Sequence, residues 1–176
     1  MAGTLTYPEV INNYNVYDDG DKMQGVSGEV TLPTLSAITT EISGGGVLGA
    51  YNTAVPGAFQ ATQMDIPFRM VGKEYFTRSI ADRQMNLTLR SSIQSVDRET
   101  GGAISSQGMR VVVRGRPTAY NFGTLSQGSL MNASITLELT YIMVEVDGVQ
   151  LLEVDKLNGV YKVNGVDMLA GVNSLI

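Results

Sequence analysis

The sequence predicts a mainly β fold, a β-sandwich or open barrel with one short α-helix, and three observations lead there. Apolar residues recur with a period of two instead of about 3.6 in most segments. Asp147-Gly148, Asn158-Gly159 and Asn164-Gly165 separate such segments, and type I′ hairpin turns need positive φ at both central positions. Glycine is abundant at 20 residues and proline sparse at 5, which favours a turn-rich folded chain over a flexible linker. With 176 residues, 43% of them hydrophobic, the chain reads as a single domain spanning 1–176.

Met1–Val10 has neither a basic region nor an apolar core, so no secretory signal is expected. After Val10–Tyr17, Asp18, Asp19 and Asp21 surround Gly20. Their spacing departs from a calcium loop, and a polar hairpin turn accounts for them. Glu29–Ser43 is Thr-rich and extended, with Pro33 at a bulge or an edge. Gly44–Gly57 reads as a flexible loop holding Val47, Leu48, Tyr51 and Val55. Gln60–Met70 sets Met64, Ile66, Phe68 and Met70 against Gln63, Asp65 and Arg69. Gly72–Arg83 breaks the alternation: Phe76 and Ile80 stand four apart among good helix formers, which predicts the one helix.

Met85–Val96 returns to a β pattern through Leu87, Leu89 and Ile93. Met109–Tyr120 alternates Met109, Val111 and Val113 with Arg110, Arg114 and Arg116. Asn121–Asn132 is a second long loop, Ser/Gly-rich yet carrying Phe122, Leu125, Leu130 and Met131. Apolar residues in long loops point to a partner surface that orders them. Ala133–Val146 is the clearest strand. Ile135, Leu137, Leu139, Tyr141 and Met143 share one face, and Ser134, Thr136, Glu138 and Thr140 the other. From Ile142 the second face also turns apolar, as in a strand whose covering changes midway. Such a sheet is either half of a sandwich with a wet outer face or a segment of a larger barrel, and periodicity does not choose.

Composition excludes several activities. There is no Cys and no His, which removes thiolate chemistry, the commonest metal ligand and the commonest general base. No G-x-S-x-G elbow, P-loop or dinucleotide fingerprint is present, so no catalytic residue, metal site or cofactor is expected. The net charge of −5, from 12 basic and 17 acidic residues, argues against a dedicated nucleic-acid binder. No apolar run approaches the roughly 18 residues of a membrane helix, and membrane insertion is not expected. A monomeric carbohydrate-binding β-sandwich is the alternative in another class. It would show aromatics on one sheet face, whereas here Tyr141 lies on the apolar face and Phe68 and Phe76 look like core. A carboxylate-pair hydrolase lacks any supporting constellation.

Particular segments resemble a known family. Gln24-Gly25-Val26 followed by Val30-Thr31-Leu32-Pro33-Thr34-Leu35 is similar to its QGV…VTLP-x-L segment. Met109–Arg116 is similar to its V-x-x-x-RGR strand, Asp147, Gly148, Leu151, Glu153 and Asp155 to its DG-x-x-L-x-E-x-D pattern, and Lys162–Asp167 to KVNGVD. The family is the major tail tube proteins of contractile-tailed bacteriophages and R-type bacteriocins.

The resemblance implies a structural protein without catalysis that contributes strands to a large inter-subunit β-barrel in a hexameric ring. Rings stack into a tube that carries phage DNA, or in a bacteriocin ions. About four strands from each of six subunits would give a barrel roughly 45–50 Å across. Ser134, Thr136, Glu138 and Thr140, with Gln63 and Asp65, would then face the lumen. The apolar loop residues Val47, Leu48, Tyr51, Val55, Leu125 and Leu130 would reach neighbouring subunits or rings. The implied partners are a tail sheath protein outside, a tape-measure protein and DNA in the lumen, and baseplate and terminator proteins at the ends. The implied location is a virion tail or bacteriocin particle assembled in the host bacterial cytoplasm.

Overall fold

The computed structural model describes residues 6–26, 28–78, 82–97 and 102–175. They form β1 (Thr6–Asp18), β2 (Asp21–Lys22), β3 (Ala37–Ile42), β4 (Tyr51–Phe59), β5 (Gln63–Phe68), α1 (Lys73–Arg78), β6 (Met85–Asp97) and β7 (Ala103–Asn121). β8 (Ala133–Val146), β9 (Val149–Asp155), β10 (Val160–Val163), β11 (Val166–Asp167) and α2 (Ala170–Asn173) complete the order. Nine strands make one antiparallel sheet in the order β11-β10-β9-β8-β7-β6-β1-β2, with β5 also paired to β8, while β3 and β4 form a separate hairpin.

The mainly β expectation holds, and β8 has the bounds and alternation read from the sequence: Ala133, Ile135, Leu137 and Leu139 are buried between half-exposed polar neighbours. The alternation changes phase at a bulge. Arg114 stands opposite Tyr141 and Gly115 opposite Leu139, so Thr140 is the extra residue. Beyond it Ile142 and Val144 take the core side. Tyr141 therefore leaves the apolar face on which the sequence placed it, together with Met143. The apolar turn of the second face from Ile142 is the signature of this one-residue shift.

The bulge is also where the sheet branches. On the edge of β8 away from β7, β5 pairs with Ala133–Glu138 and β9 with Tyr141–Val146. Backbone and side chains stitch the junction. The N–H of Leu139 donates to the Thr62 carbonyl and that of Lys156 to the Thr140 carbonyl. Lys156 Nζ donates to the Gln60 carbonyl at 2.8 Å and to Thr62 Oγ1 at 3.0 Å.

Below the branch the strands curl into a small barrel. Past β2 the chain runs back to β5: the N–H of Met23 donates to Val16, that of Arg69 donates to Gly25, and Val26 bridges Phe68. This closes a circuit through β5, β8, β7, β6 and β1 around Val16, Ile66, Leu87, Val113, Ile135 and Leu137. Tyr75 of α1 plugs one end, its hydroxyl donating to the Ser134 carbonyl at 2.9 Å. Tyr75 is buried and Phe76 is 53% exposed, so the helix presents a different residue to the core than the sequence suggested; Ile80 lies outside the described residues. The helix runs over Lys73–Arg78, and α2 is a second short helix that no apolar period announces.

Three turns have the conformation of type I′: Asp19-Gly20, Asp147-Gly148 and Asn164-Gly165, each with positive φ at both positions. Asn158-Gly159 differs, because only Gly159 has positive φ. There the Asp155 carboxylate accepts from the N–H groups of Leu157 and Asn158 and holds a four-residue turn. The Gly44–Gly57 loop also needs correction, since residues 51–57 belong to β4, which pairs with β3. Pro33 precedes that hairpin instead of bulging a strand.

Candidate functional site

Two surfaces are left exposed once the barrel core is filled. The first is the outward face of the main sheet. Asp65 and Thr136 are register partners and their side chains share a hydrogen bond, as Gln63 and Glu138 are partners one pair along. Ser134 continues this row. Thr140, at the bulge, accepts from Gln84 Nε2 at 2.9 Å. All six residues singled out for a channel surface thus come together along β5 and β8. Glu138 is also tied inward, its Oε1 accepting from the Thr62 N–H at 3.2 Å.

The same face carries the arginines. Arg110 pairs with Glu145 across β7 and β8, and the Arg114 guanidinium sits 4.1 Å from the centre of the Tyr141 ring. The Tyr141 hydroxyl donates to Glu153 at 3.1 Å, and Lys162 approaches the other Glu153 oxygen at 3.5 Å. Burial raises the Tyr141 hydroxyl above its usual pKa, and the hydrogen bond to Glu153 adds to that. Burial alone would raise Glu153, but hydrogen bonds from Gln150 and Tyr141 and the charge of Lys162 bring it below the ordinary carboxylate value. Arg90 lies 5.5 Å from the Tyr17 ring. Arg116 stands opposite Glu138. The face combines the ion pairs Arg110–Glu145 and Lys162–Glu153 with arginines laid on the Tyr17 and Tyr141 rings, of which the period-two reading of Met109–Tyr120 anticipated the arginine side alone.

The second surface is apolar and projects outward. Ile38, Ile42, Val47, Leu48, Tyr51 and Val55 on the β3–β4 hairpin are all exposed, Leu48 completely. Its base is anchored by Phe59 edge-on to Tyr161 at 5.1 Å and by Leu169 against Gly57, and is closed by the Gln60 N–H on the Ser36 carbonyl. In the 122–132 loop Leu125 is 87% exposed and Leu130 about half. That loop is pinned by the Thr124 N–H on Met131 and the Met131 N–H on Arg69. The structure keeps the two groups of apolar residues on separate projections.

Sequence reasoning missed the sheet edges, which no residue type marks. β6 and β7 pair without interruption from Met85–Gly115 to Asp97–Ala103, but β8 stops at Val146 opposite Met109. Among the described residues, 103–107 of β7 and 6–15 of β1 have a ladder partner on the β6 side only. Tyr7, Val10, Ile11 and Ile104 lie exposed on this arm. Among the described residues the exposed aromatics fall on different elements, Tyr7 on β1, Tyr51 on β4, Phe76 on α1 and Phe122 in a loop, with Phe76 and Phe122 in ring contact at 5.9 Å, and no two of them share a sheet face.

Open sheet edges and an apolar projecting hairpin define a mainly β subunit whose edges and hairpin face are left uncovered in the single copy. A solved structure of similar fold belongs to an extracellular contractile injection system, described as its sheath/tube terminator in the extended state; the match has a TM-score of 0.55 at 15% identity and covers 79% of this chain and 97% of that one. Residues 8–176 match the family described as phage tail tube protein FII. The tail tube protein of Escherichia phage P2 is 28% identical, covering 94% of this chain and 95% of its own. The major tail tube protein of Serratia phage KSP20 is 30% identical, covering 93% and 92%. The chain belongs to the phage tail tube protein FII family.

Proposed function

We propose that residues 1–176 form one tail-tube domain, that six copies close into a ring with a shared sheet lining a channel, and that rings stack into the hollow inner tube of a contractile tail. The observation that carries this is the pair of open edges. The 6–15 edge of β1 in one copy and the 103–107 edge of β7 in the next supply backbone donors and acceptors that a lone subunit leaves to water. Joining edges head to tail is a heterologous contact, which yields a ring when the rotation closes. The outward face with Gln63, Asp65, Ser134, Thr136, Glu138 and Thr140 lines the channel. Phage DNA, or ions in a bacteriocin, passes along it during penetration of the host envelope.

The β3–β4 hairpin and the 122–132 loop reach neighbouring subunits or rings, where Val47, Leu48, Tyr51, Val55, Leu125 and Leu130 become covered. A sheath surrounds the tube, a tape-measure protein occupies it before ejection, baseplate and terminator proteins cap its ends, and assembly takes place in the host bacterial cytoplasm. Negative-stain electron microscopy at rising protein concentration tests the reading: rings or tubes are expected, and particles that stay dispersed overturn it. Deleting residues 45–55 should leave a folded subunit that no longer polymerises, and full-length tubes from that variant would refute the role of the hairpin.

A further inference from the structure

Arg90 and Arg110 are direct register partners on β6 and β7. Two like charges placed opposite each other destabilise a sheet unless something neutralises them. They line one shallow cleft of about 460 Å³ together with Ser91, Gly108, Met109, Glu145, Asp147 and Gly148. Within it Glu145 takes the Arg110 guanidinium, and Arg90 turns to the Tyr17 ring. Arg110 Nε is buried and has no acceptor in the structure, so the guanidinium retains a donor that Glu145 does not use. Two arginines lining one solvent-open cleft offer an anion a site, because their forked donors match phosphate as well as carboxylate, although Arg90 rests on the Tyr17 ring of β1 and would have to swing across β6 to share it. Here the anion is built in.

We propose that Glu145 is a resident carboxylate plug: it occupies a di-arginine cleft that would otherwise hold the phosphodiester backbone of a nucleic acid. This rests on the reading that the outward sheet face lines the channel. A conduit needs a hydrated wall, and opposite charges satisfied within the subunit provide one without releasing counterions from the passing polymer. With the plug removed, each subunit would offer phosphate a binding step at the same height, repeated along the tube.

The test is fluorescence anisotropy with a labelled DNA duplex of about 20 base pairs, at about 50 and 200 mM salt. Unassembled wild-type protein should bind weakly. Glu145→Gln, which keeps the side chain's shape and loses its charge, should bind at least about tenfold tighter at low salt and lose most of that gain at high salt. Glu41→Gln makes the same change in net charge on the β3–β4 hairpin and should bind like wild type. Adding Arg110→Gln to Glu145→Gln should abolish the gain.

A Glu145→Gln variant that binds no tighter than wild type overturns the plug, as does an equal gain in Glu41→Gln or a gain that survives Arg110→Gln. Assembled tubes separate this from the channel reading. Tubes of the variant should take up duplex at their ends alone. Uptake along the outer wall as strong as by free copies overturns the channel assignment and leaves the plug standing.

Discussion

Gly115 lies between the two arginines of the Arg114-Gly115-Arg116 motif, and the structure gives it a single purpose. It is buried in β7 directly beside the β8 bulge, and a Cβ built on it would lie 2.5 Å from the Glu138 carbonyl oxygen and 2.9 Å from Leu139 Cδ2. Heavy atoms attract best near about 3.5 Å, so the methyl of Gly115→Ala would overlap main chain that is fixed by ladder bonds on both edges. The strands must part locally, and overpacking of this kind costs about 1–3 kcal/mol, occasionally more. For a chain of this size each kcal/mol lowers Tm by about 2–4 °C. Thermal melting of unassembled protein followed by circular dichroism should therefore show a drop of roughly 2–12 °C. Gly108→Ala on the same strand is the control, since nothing lies within 4 Å of its Cβ, and it should melt within about 2 °C of wild type. If Gly115→Ala also melted within about 2 °C, the close approach at the bulge would not be what holds the branch point together.

Tyr75→Phe removes the hydroxyl that donates to Ser134 and reaches Asn121 at 3.3 Å; urea titration should show a loss of about 1–2 kcal/mol with an unchanged m-value. Asp155 is raised by burial, but hydrogen bonds from Asn158 and Leu157 and the charge of Arg114 bring its pKa below the ordinary carboxylate value. Because the folded pKa is the lower one, its contribution is complete above the unfolded value of about 4 and fades as pH falls through the folded value. Asp155→Ala should accordingly flatten the acid limb of stability against pH below about 4, measured by denaturant midpoints; an unaltered limb would refute the assignment.

What the sequence disclosed follows from where side chains meet a core. β8 was legible to the residue up to Leu139 because its inner face is packed on every second position. The phase change at Thr140 was visible only as apolar residues on both faces, since a bulge leaves no residue type of its own. β3 fell within the stretch read as extended, whereas β4 was hidden for the opposite reason: Tyr51 and Val55 stand exposed instead of packing on a core, so nothing set its start apart from the glycine-rich loop before it. Asn158-Gly159 misled because the deciding group, the Asp155 carboxylate, lies three residues earlier. On the sheet face, Ser134, Thr136 and Glu138 were found by their polarity. The partners of the arginines were not, because Arg110–Glu145 and Arg114–Tyr141 join residues far apart in the chain and are set by register.

A two-stranded ribbon standing clear of any core is marginal in water, and the outer half of β3–β4 is such a ribbon. In the proposed assembly its ordering would be drawn from a surface that already exists, so two free copies meeting in solution would gain little, whereas a copy arriving at a growing end would be clasped at once. Elongation would then depend on seeds: a lag that short fragments abolish, and a final length set by where growth is started and stopped instead of by how much protein is supplied.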